Sequence, residues 1–246
     1  ERENNASLRG EIGQAEELET ETVVLRYPLF VKPGQAGDSL GVSERSLVHT
    51  PVELREQVGA LLDEYETVLV EEFIAGSEFT VLVAAEADPA QPPRTFLPLE
   101  FVFPEGQTFK TYDLKITQWR PECNVPCTNA ALDVRLREAA RRIFKNFGGL
   151  GYARLDFRVD ATGEIYFLEI NFACSVFYPE GSEGSADYIL KYDGLGQSGF
   201  LQHIIAEGLA RHRRRQKAYV RRGNALNGYG IFASRNIRAG EVVWAG

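Results

Sequence analysis

Residues 152–175 read YARLDFRVDATGEIYFLEINFACS, two short strand-like runs about a glycine-containing turn. Side chains alternate across a strand, so Tyr152, Arg154, Asp156 and Arg158 share one face of the first arm and Ala153, Leu155, Phe157 and Val159 the other. In the second arm Phe167, Glu169 and Asn171 share a face, opposite Tyr166, Leu168 and Ile170. A tight Ala161-Thr162 turn, with Asp160 pairing Gly163, sets Leu155 against Leu168, Phe157 against Tyr166 and Ala153 against Ile170. One apolar face results. The same register puts Arg154 opposite Glu169, with Asp156 on the diagonal and Asn171 one step along.

Two carboxylates and a carboxamide within roughly 7 to 8 Å of one another at the backbone can share an ion. They are hard oxygen donors of the kind that suit Mg²⁺, which keeps waters and is completed by substrate phosphates. A structural hairpin offers another reading, an Arg154–Glu169 cross-strand pair on a solvated face.

Working outward, the segment to about residue 22 is polar and charged. From Thr22 the chain becomes β-branched, "TVVLRYPLFVKP", then glycine-rich, "GQAGDSLGVS", then apolar again, "SLVHT". That order predicts strand, loop, strand. Thr50-Pro51-Val52-Glu53 has capping-box spacing with proline at the first helical position, and Leu54, Val58, Leu61, Leu62 and Tyr65 follow on one face of a helix. "TVLVEEFIAGSEFTVLVAAE" predicts two strands about Gly76, and "TFLPLEFVF" a further strand. A second helix carries Leu132, Leu136, Ala139, Ala140, Ile143 and Phe147 as its stripe, with Gly148 as its C-terminal cap. Beyond the hairpin, "PEGSEGSADYILKYDGLGQSG" reads mostly as loop and "GFLQHIIAEGLARH" as a closing helix. The basic run 211–222 reads as a linker, with a change of character near Arg222.

Two further stretches bear on chemistry. Lys32 ends a strand just before Gly34, Gly37 and Gly41, whose loop can aim backbone N–H groups at a phosphate while Lys32 supplies charge. The lysine precedes the glycines and no GKS or GKT follows, so this is not a Walker A loop; an ordinary hairpin loop is the alternative. In "VLVEEFIAGSEFTVLV", Glu71 ends a strand, the backbone of residues 72–74 can meet a purine edge, and Glu78 can accept from ribose hydroxyls.

The order of these three stretches, "LFVKPGQAGDSLGVS", "VLVEEFIAGSEFTV" and "GYARLDFRVDATGEIYFLEIN", resembles the ATP-grasp superfamily, and within it the carboxy-terminal part of the D-alanine-D-alanine ligase-like group. The resemblance covers residues 23–210. It implies an α+β ATP-grasp fold with nucleotide between two subdomains. Lys32 would hold phosphate, the loop from Gly37 through Ser39 to Gly41 would cover the phosphates, Glu71 and the backbone at Phe73 and Ile74 would take adenine, and Glu78 the ribose. Lys115, in "TYDLKITQW", resembles a second phosphate lysine. Arg154 would stabilise the transferred phosphoryl group, and Asp156, Glu169 and Asn171 would coordinate two Mg²⁺. The implied reaction turns a small-molecule carboxylate into an acyl phosphate that an amine attacks. After Asn171 the stretch "FACSVFYPEGSEGSAD" departs from the proline-glycine turn of the D-alanine ligases, which argues against D-alanine as substrate. A regulatory or scaffolding ATP-binding module is the alternative.

Residues 223–246, "GNALNGYGIFASRNIRAGEVVWAG", resemble the opening of a SET methyltransferase domain, in which Gly228 and Gly230 would approach S-adenosylmethionine; only a complete SET domain would use that cofactor. The resemblance implies a ligase module in a larger protein that also carries a SET domain, or, in the alternative, a regulatory or scaffold module of a SET-domain protein lysine methyltransferase. With no methionine in 246 residues, both ends read as truncated. The charge of −8 argues against nucleic acid as the main partner, and no apolar run has the roughly 20 residues of a membrane helix. The expected location is intracellular, cytoplasmic or nuclear; nothing in the pattern sets the oligomeric state. Cys123, Cys127 and Cys174 read as reduced structural thiols, since Cys-x-x-x-Cys without a nearby histidine makes a poor zinc site.

Overall fold

The computed structural model describes residues 24–37, 39–111, 121–172, 174–215, 219–224, 228–233 and 235–240. The expected polar lead-in, residues 1–22, and Lys115 lie outside the described residues. The chain divides into two compact units, residues 1–73 and 74–246.

In the first unit, β1 (Leu29–Pro33), β2 (Leu47–Val48) and β3 (Val68–Glu72) form an antiparallel sheet in the order β2-β1-β3. Between β2 and β3 runs helix α1 (Pro51–Leu62). Its start follows the capping chemistry: Thr50 Oγ1 accepts from the Glu53 N–H at 3.2 Å, and the Glu53 carboxylate accepts from the His49 N–H at 2.7 Å. Leu61 joins Leu29, Val31 and Val48 in the core, with Leu54, Val58 and Tyr65 packed beside them. Leu62 is exposed, one residue off the stripe assigned to it.

The second unit is built on a sheet in the order β7-β6-β4-β8-β9, with β5 also pairing β4. Its strands are β4 (Ser77–Ala84), β5 (Arg94–Thr95), β6 (Leu99–Phe101), β7 (Asn124–Pro126), β8 (Tyr152–Val159) and β9 (Ile165–Asn171). Helix α2 (Ala130–Asn146) begins at Asn129, whose side chain accepts from the N–H groups of Ala131 and Leu132, and covers one face of the sheet. Leu136, Ala140 and Phe144 of α2 pack there against Phe79, Val81, Leu155 and Phe157. Each such aromatic or aliphatic burial contributes about 1.5 to 3 kcal/mol relative to exposure. Phe144, absent from the expected stripe, takes the place given to Phe147, which is exposed; spacing of four from Leu136 through Ala140 selects it.

The opposite face carries helices α3 (Ser185–Asp193) and α4 (Gly196–Arg215). Ile189, Leu190 and Phe200 bury Leu82, Ala84, Phe96 and Leu99. The stretch before α4 is therefore not mostly loop: its glycines bound a short helix whose Ala186, Tyr188, Ile189 and Leu190 are all buried. This coverage is partial. On β4 the buried aliphatics Leu82 and Ala84 give way to Thr80 and Glu78, and on β8 their cross-strand partners are Asp156 and Arg158. One face of one sheet thus has an apolar end and a polar end.

The basic run 211–222 is divided, Arg211 to Arg215 finishing α4 and Tyr219 onward forming β10 (Tyr219–Asn224). β10 pairs with β11 (Gly228–Ala233), Asn224 facing Gly228 and Arg222 facing Gly230. Among the described residues no helix is long and apolar enough to cross a membrane.

Candidate functional site

The β8–β9 hairpin forms with a register other than the one expected. Its loop is longer by one residue: the Asp160 N–H donates to the Glu164 carbonyl at 3.1 Å, and Asp160 Oδ1 accepts from the N–H groups of Thr162 and Glu164 and from Thr162 Oγ1. A second one-residue shift follows as a bulge, since Phe157 faces Phe167 while Asp156 faces Glu169, leaving Leu168 unmatched. A slip of one flips a strand's faces and a slip of two restores them. Between the shifts, Phe167 therefore turns to the side of Phe157 and meets its ring edge-on at 6.0 Å, though like Leu168 it stays exposed at the margin of the sheet. Past both shifts Glu169 and Asn171 return to the polar face with new neighbours. Asp156 is directly opposite Glu169, and Arg154 opposite Asn171.

This corrects the expected Arg154–Glu169 cross-strand pair. Arg154 Nη2 instead donates to Asp156 Oδ2 at 3.1 Å along its own strand. Thr80 Oγ1 donates to Asp156 Oδ1 at 2.6 Å from β4. Burial pushes the Asp156 carboxyl up, but the charges of Arg154 and Lys110 and the hydrogen bonds from Thr80 and Arg154 outweigh it, holding Asp156 below the usual carboxylate range. Asp156 raises Arg154 in turn against the effect of burial, with Glu169 also contributing. Arg154 Nε is buried with no hydrogen-bond partner among the described residues.

Glu78 sits two positions before Thr80 on the same face of β4 and is buried. Lys110 Nζ approaches its Oε1 to 2.7 Å and Arg158 Nη2 its Oε2 to 3.9 Å. Arg158, itself buried, donates to the carbonyl of Ile74 at 2.8 Å and to that of Thr108. The Ile74 carbonyl, expected to face adenine, is thus engaged within the chain. Thr80 and Lys110 were missed as site residues. Thr80 was legible, being a polar residue in an apolar strand at the spacing that puts it on the Glu78 face; Lys110 reaches the site from a distant loop, which no local pattern reveals.

In the first unit Lys32 Nζ and Glu71 Oε1 are 2.6 Å apart, so two expected site residues are brought together as an ion pair. Phe73 stacks on Phe30 at 6.1 Å, and its N–H donates to the Pro28 carbonyl. In the glycine loop Ser39 and Gly41 adopt positive φ of 57° and 75°, and a Cβ at Gly41 would meet Pro33 Cγ at 2.5 Å. Gly37 has neither constraint: its φ is not in the left-handed region and a Cβ there meets open space.

The donor set fits a magnesium-type ion. Among the described residues no three His, Cys, Asp or Glu side chains gather as a metal cluster. Protein donors would then be the opposed Asp156 and Glu169 with Asn171, two charges and one carboxamide that leave coordination positions for water and phosphate. Beyond Asn171 the chain is held by Asp187, whose Oδ1 accepts from the Phe177 N–H at 2.8 Å and from Gln197 Nε2 at 2.7 Å. Phe177 has φ 72°, a conformation a bulky residue adopts only when its surroundings impose it.

Cys123 and Cys174 are buried and all three cysteines are free thiols. Burial is the chief cause that pushes the Cys174 thiol up to about 11, and it also raises Cys127, which is less deeply placed. An aromatic disulfide reagent at pH 8 is expected to modify Cys127 first and Cys174 only in denaturant. Prompt labelling of all three in the native protein would contradict this burial.

Residues 7–175 match the family described as D-ala D-ala ligase C-terminus. The chain belongs to this family. A D-alanine–D-alanine ligase of Legionella pneumophila is 31% identical over 197 residues, covering 77% of this chain and 51% of that protein. One from Syntrophotalea carbinolica is 38% identical over 146 residues, covering 59% of this chain and 44% of its own length. The chain therefore spans about half the length of these relatives. Among solved structures, a D-Ala:D-Ser ligase from Enterococcus faecalis superposes with a TM-score of 0.54 at 26% identity, over 74% of this chain and 50% of that one. A Bacillus anthracis D-alanine–D-alanine ligase complexed with ATP does so at 0.56 and 18% identity, over 80% of this chain and 60% of that one, a likeness of fold alone. The α+β ATP-grasp fold of the ligase C-terminus family is the fold of this chain.

Proposed function

We propose that this chain is the ATP-binding, phosphoryl-transferring part of an ATP-dependent carboxylate–amine ligase. The observation that carries the proposal is the opposed Asp156–Glu169 pair, flanked on one face by Arg154 and Asn171. Asp156, Glu169 and Asn171 would hold Mg²⁺, two ions in the reading from family resemblance, which when bound would offset the charge of the phosphates. Arg154, locked by Asp156, presents its cation where negative charge grows on a transferred phosphoryl group, and such preorganised charge lowers the barrier without reorganisation. Lys32 would exchange Glu71 for phosphate, with Glu71 turning to the adenine and Glu78 to the ribose. An acyl phosphate made from the carboxylate would then be attacked by the amine.

The relatives' names point to D-amino acids as the substrate class. Choice within that class is placed in the segment after Asn171, where Phe177 is fixed through Asp187. The SET resemblance of residues 223–246 rests on sequence order, and a hairpin such as β10–β11 is too common a unit to support it; the family match ends at residue 175. No S-adenosylmethionine role is assigned to Gly228 or Gly230.

Calorimetry is expected to show ATP binding that depends on Mg²⁺, with Glu169→Ala reducing that dependence by about tenfold or more, a loss of about 1.4 kcal/mol. Equal affinities for the two proteins, with and without the ion, would remove this face from the site. ADP and phosphate release unaffected by any amino acid would favour a regulatory ATP-binding module instead.

A further inference from the structure

Lys110 belongs to none of the stretches that carry the family resemblance, yet the fold brings it onto the polar face. Its Nζ lies 2.7 Å from Glu78 Oε1 and 4.5 Å from the centroid of the Phe101 ring, which forms a floor beneath the ammonium. Glu78 pairs with Arg158 and Thr80 with Asp156, so Glu78 and Asp156 are diagonal neighbours on adjacent strands. Such neighbours are roughly 7 to 8 Å apart at the backbone. With its Nζ 2.7 Å from Glu78 Oε1, the Lys110 ammonium stands at the Glu78 end of the interval that separates the two carboxylates.

That interval has a chemical meaning if the nucleotide reading above holds, on which this inference rests. In ATP the α- and β-phosphates connect the ribose to the metal-bound end. With ribose at Glu78 and metal at Asp156, those phosphates must cross the ground beside Lys110. We propose that Lys110 is a phosphate-binding residue of this chain, its ammonium leaving Glu78 for an α- or β-phosphate oxygen when nucleotide binds. The exchange is balanced. Glu78 gives up an ammonium and gains ribose hydroxyl donors, while the lysine trades a carboxylate for a phosphate oxygen and keeps a charge-assisted bond. The Phe101 ring holds the cation on this face in both states.

The test is calorimetry on the 246-residue chain with ATP, ADP and, by competition, adenosine, all with Mg²⁺. Lys110→Met is expected to weaken ATP and ADP by about 10- to 100-fold, the worth of one hydrogen bond to a charged group, and to leave adenosine unchanged. Lys110→Arg should restore most of the loss. Lys110→Gln, which keeps a polar end, should match the methionine variant and guards against a folding defect in it. ATP binding by Lys110→Met and Lys110→Gln at the starting affinity would overturn the proposal. Adenosine weakened as much as ATP would also overturn it, because Lys110 would then act through Glu78 alone. Absence of ATP binding by the unsubstituted chain would instead sink the nucleotide reading itself.

Discussion

Gly76→Ala is expected to unfold much of the second unit at temperatures the unsubstituted chain withstands. Gly76 joins β3 to β4 with φ +143°, and a Cβ placed there would sit 2.0 Å from the Val159 carbonyl oxygen and 2.9 Å from its carbon. Both contacts are backbone, at the end of β8, so no side chain can rotate away. A non-glycine residue in such a φ region costs about 1 to 3 kcal/mol. Forcing apart two paired strands adds about as much again, by analogy with overpacked cores. The sum is a large share of the roughly 5 to 15 kcal/mol that holds a domain together. It also falls on the strand that delivers Glu78 and Thr80. Gly59→Ala provides the contrast: Gly59 lies inside α1 with open space where a Cβ would go, so alanine should stabilise by about 0.5 to 1 kcal/mol. Urea midpoints of the two variants should move in opposite directions, and a Gly76→Ala midpoint within error of the parent would refute the close approach.

The same junction shows what local pattern can and cannot tell. "FIAGSEF" is legible as a break between strands because glycine punctuates two apolar runs, but the reason it must be glycine is a carbonyl more than 80 positions away. The hairpin repeats the lesson. Alternation correctly separated Arg154 and Asp156 from Leu155 and Phe157, since that depends only on the pleat. The cross-strand partners depended on an Asp160-centred loop and a bulge at Leu168, where each slip is one residue and costs little to misjudge from sequence. Two slips cancelled for the faces and not for the pairs, so the right residues were assembled with the wrong neighbours. Helix α3 was obscured for a different reason: its glycine-rich flanks outweighed a core of four residues that only the opposing sheet makes buried. Alternation also put Arg158 on the polar face, but its partners Glu78 and the Ile74 carbonyl, like the arrival of Lys110, come from tertiary contacts that composition does not reveal.

Asp156→Asn should both destabilise the protein and separate charge from packing at the site. Asparagine keeps the volume and can still accept from Thr80, but it takes from the mostly buried Arg154 the carboxylate that its Nη2 bonds. Breaking a buried pair from one side typically costs about 3 to 5 kcal/mol, since the remaining charge stays desolvated. The pH dependence follows from the depressed Asp156 value. A carboxyl lower in the folded than in the unfolded chain contributes stability that is present above the ordinary carboxylate value of about 4, and is lost as pH falls through the folded value. The stability gap between the parent and Asp156→Asn should therefore be constant from pH 5 to 7 and close progressively below about pH 4. A gap that widens on acidification would mean the pair is not ionised as the geometry requires. Thr80→Val supplies the control, removing one hydrogen bond at a cost of about 1 to 3 kcal/mol while sparing the charge. Mg²⁺-dependent ATP binding should survive in Thr80→Val and fail in Asp156→Asn, because the ion is drawn by the carboxylate and the threonine only steadies it.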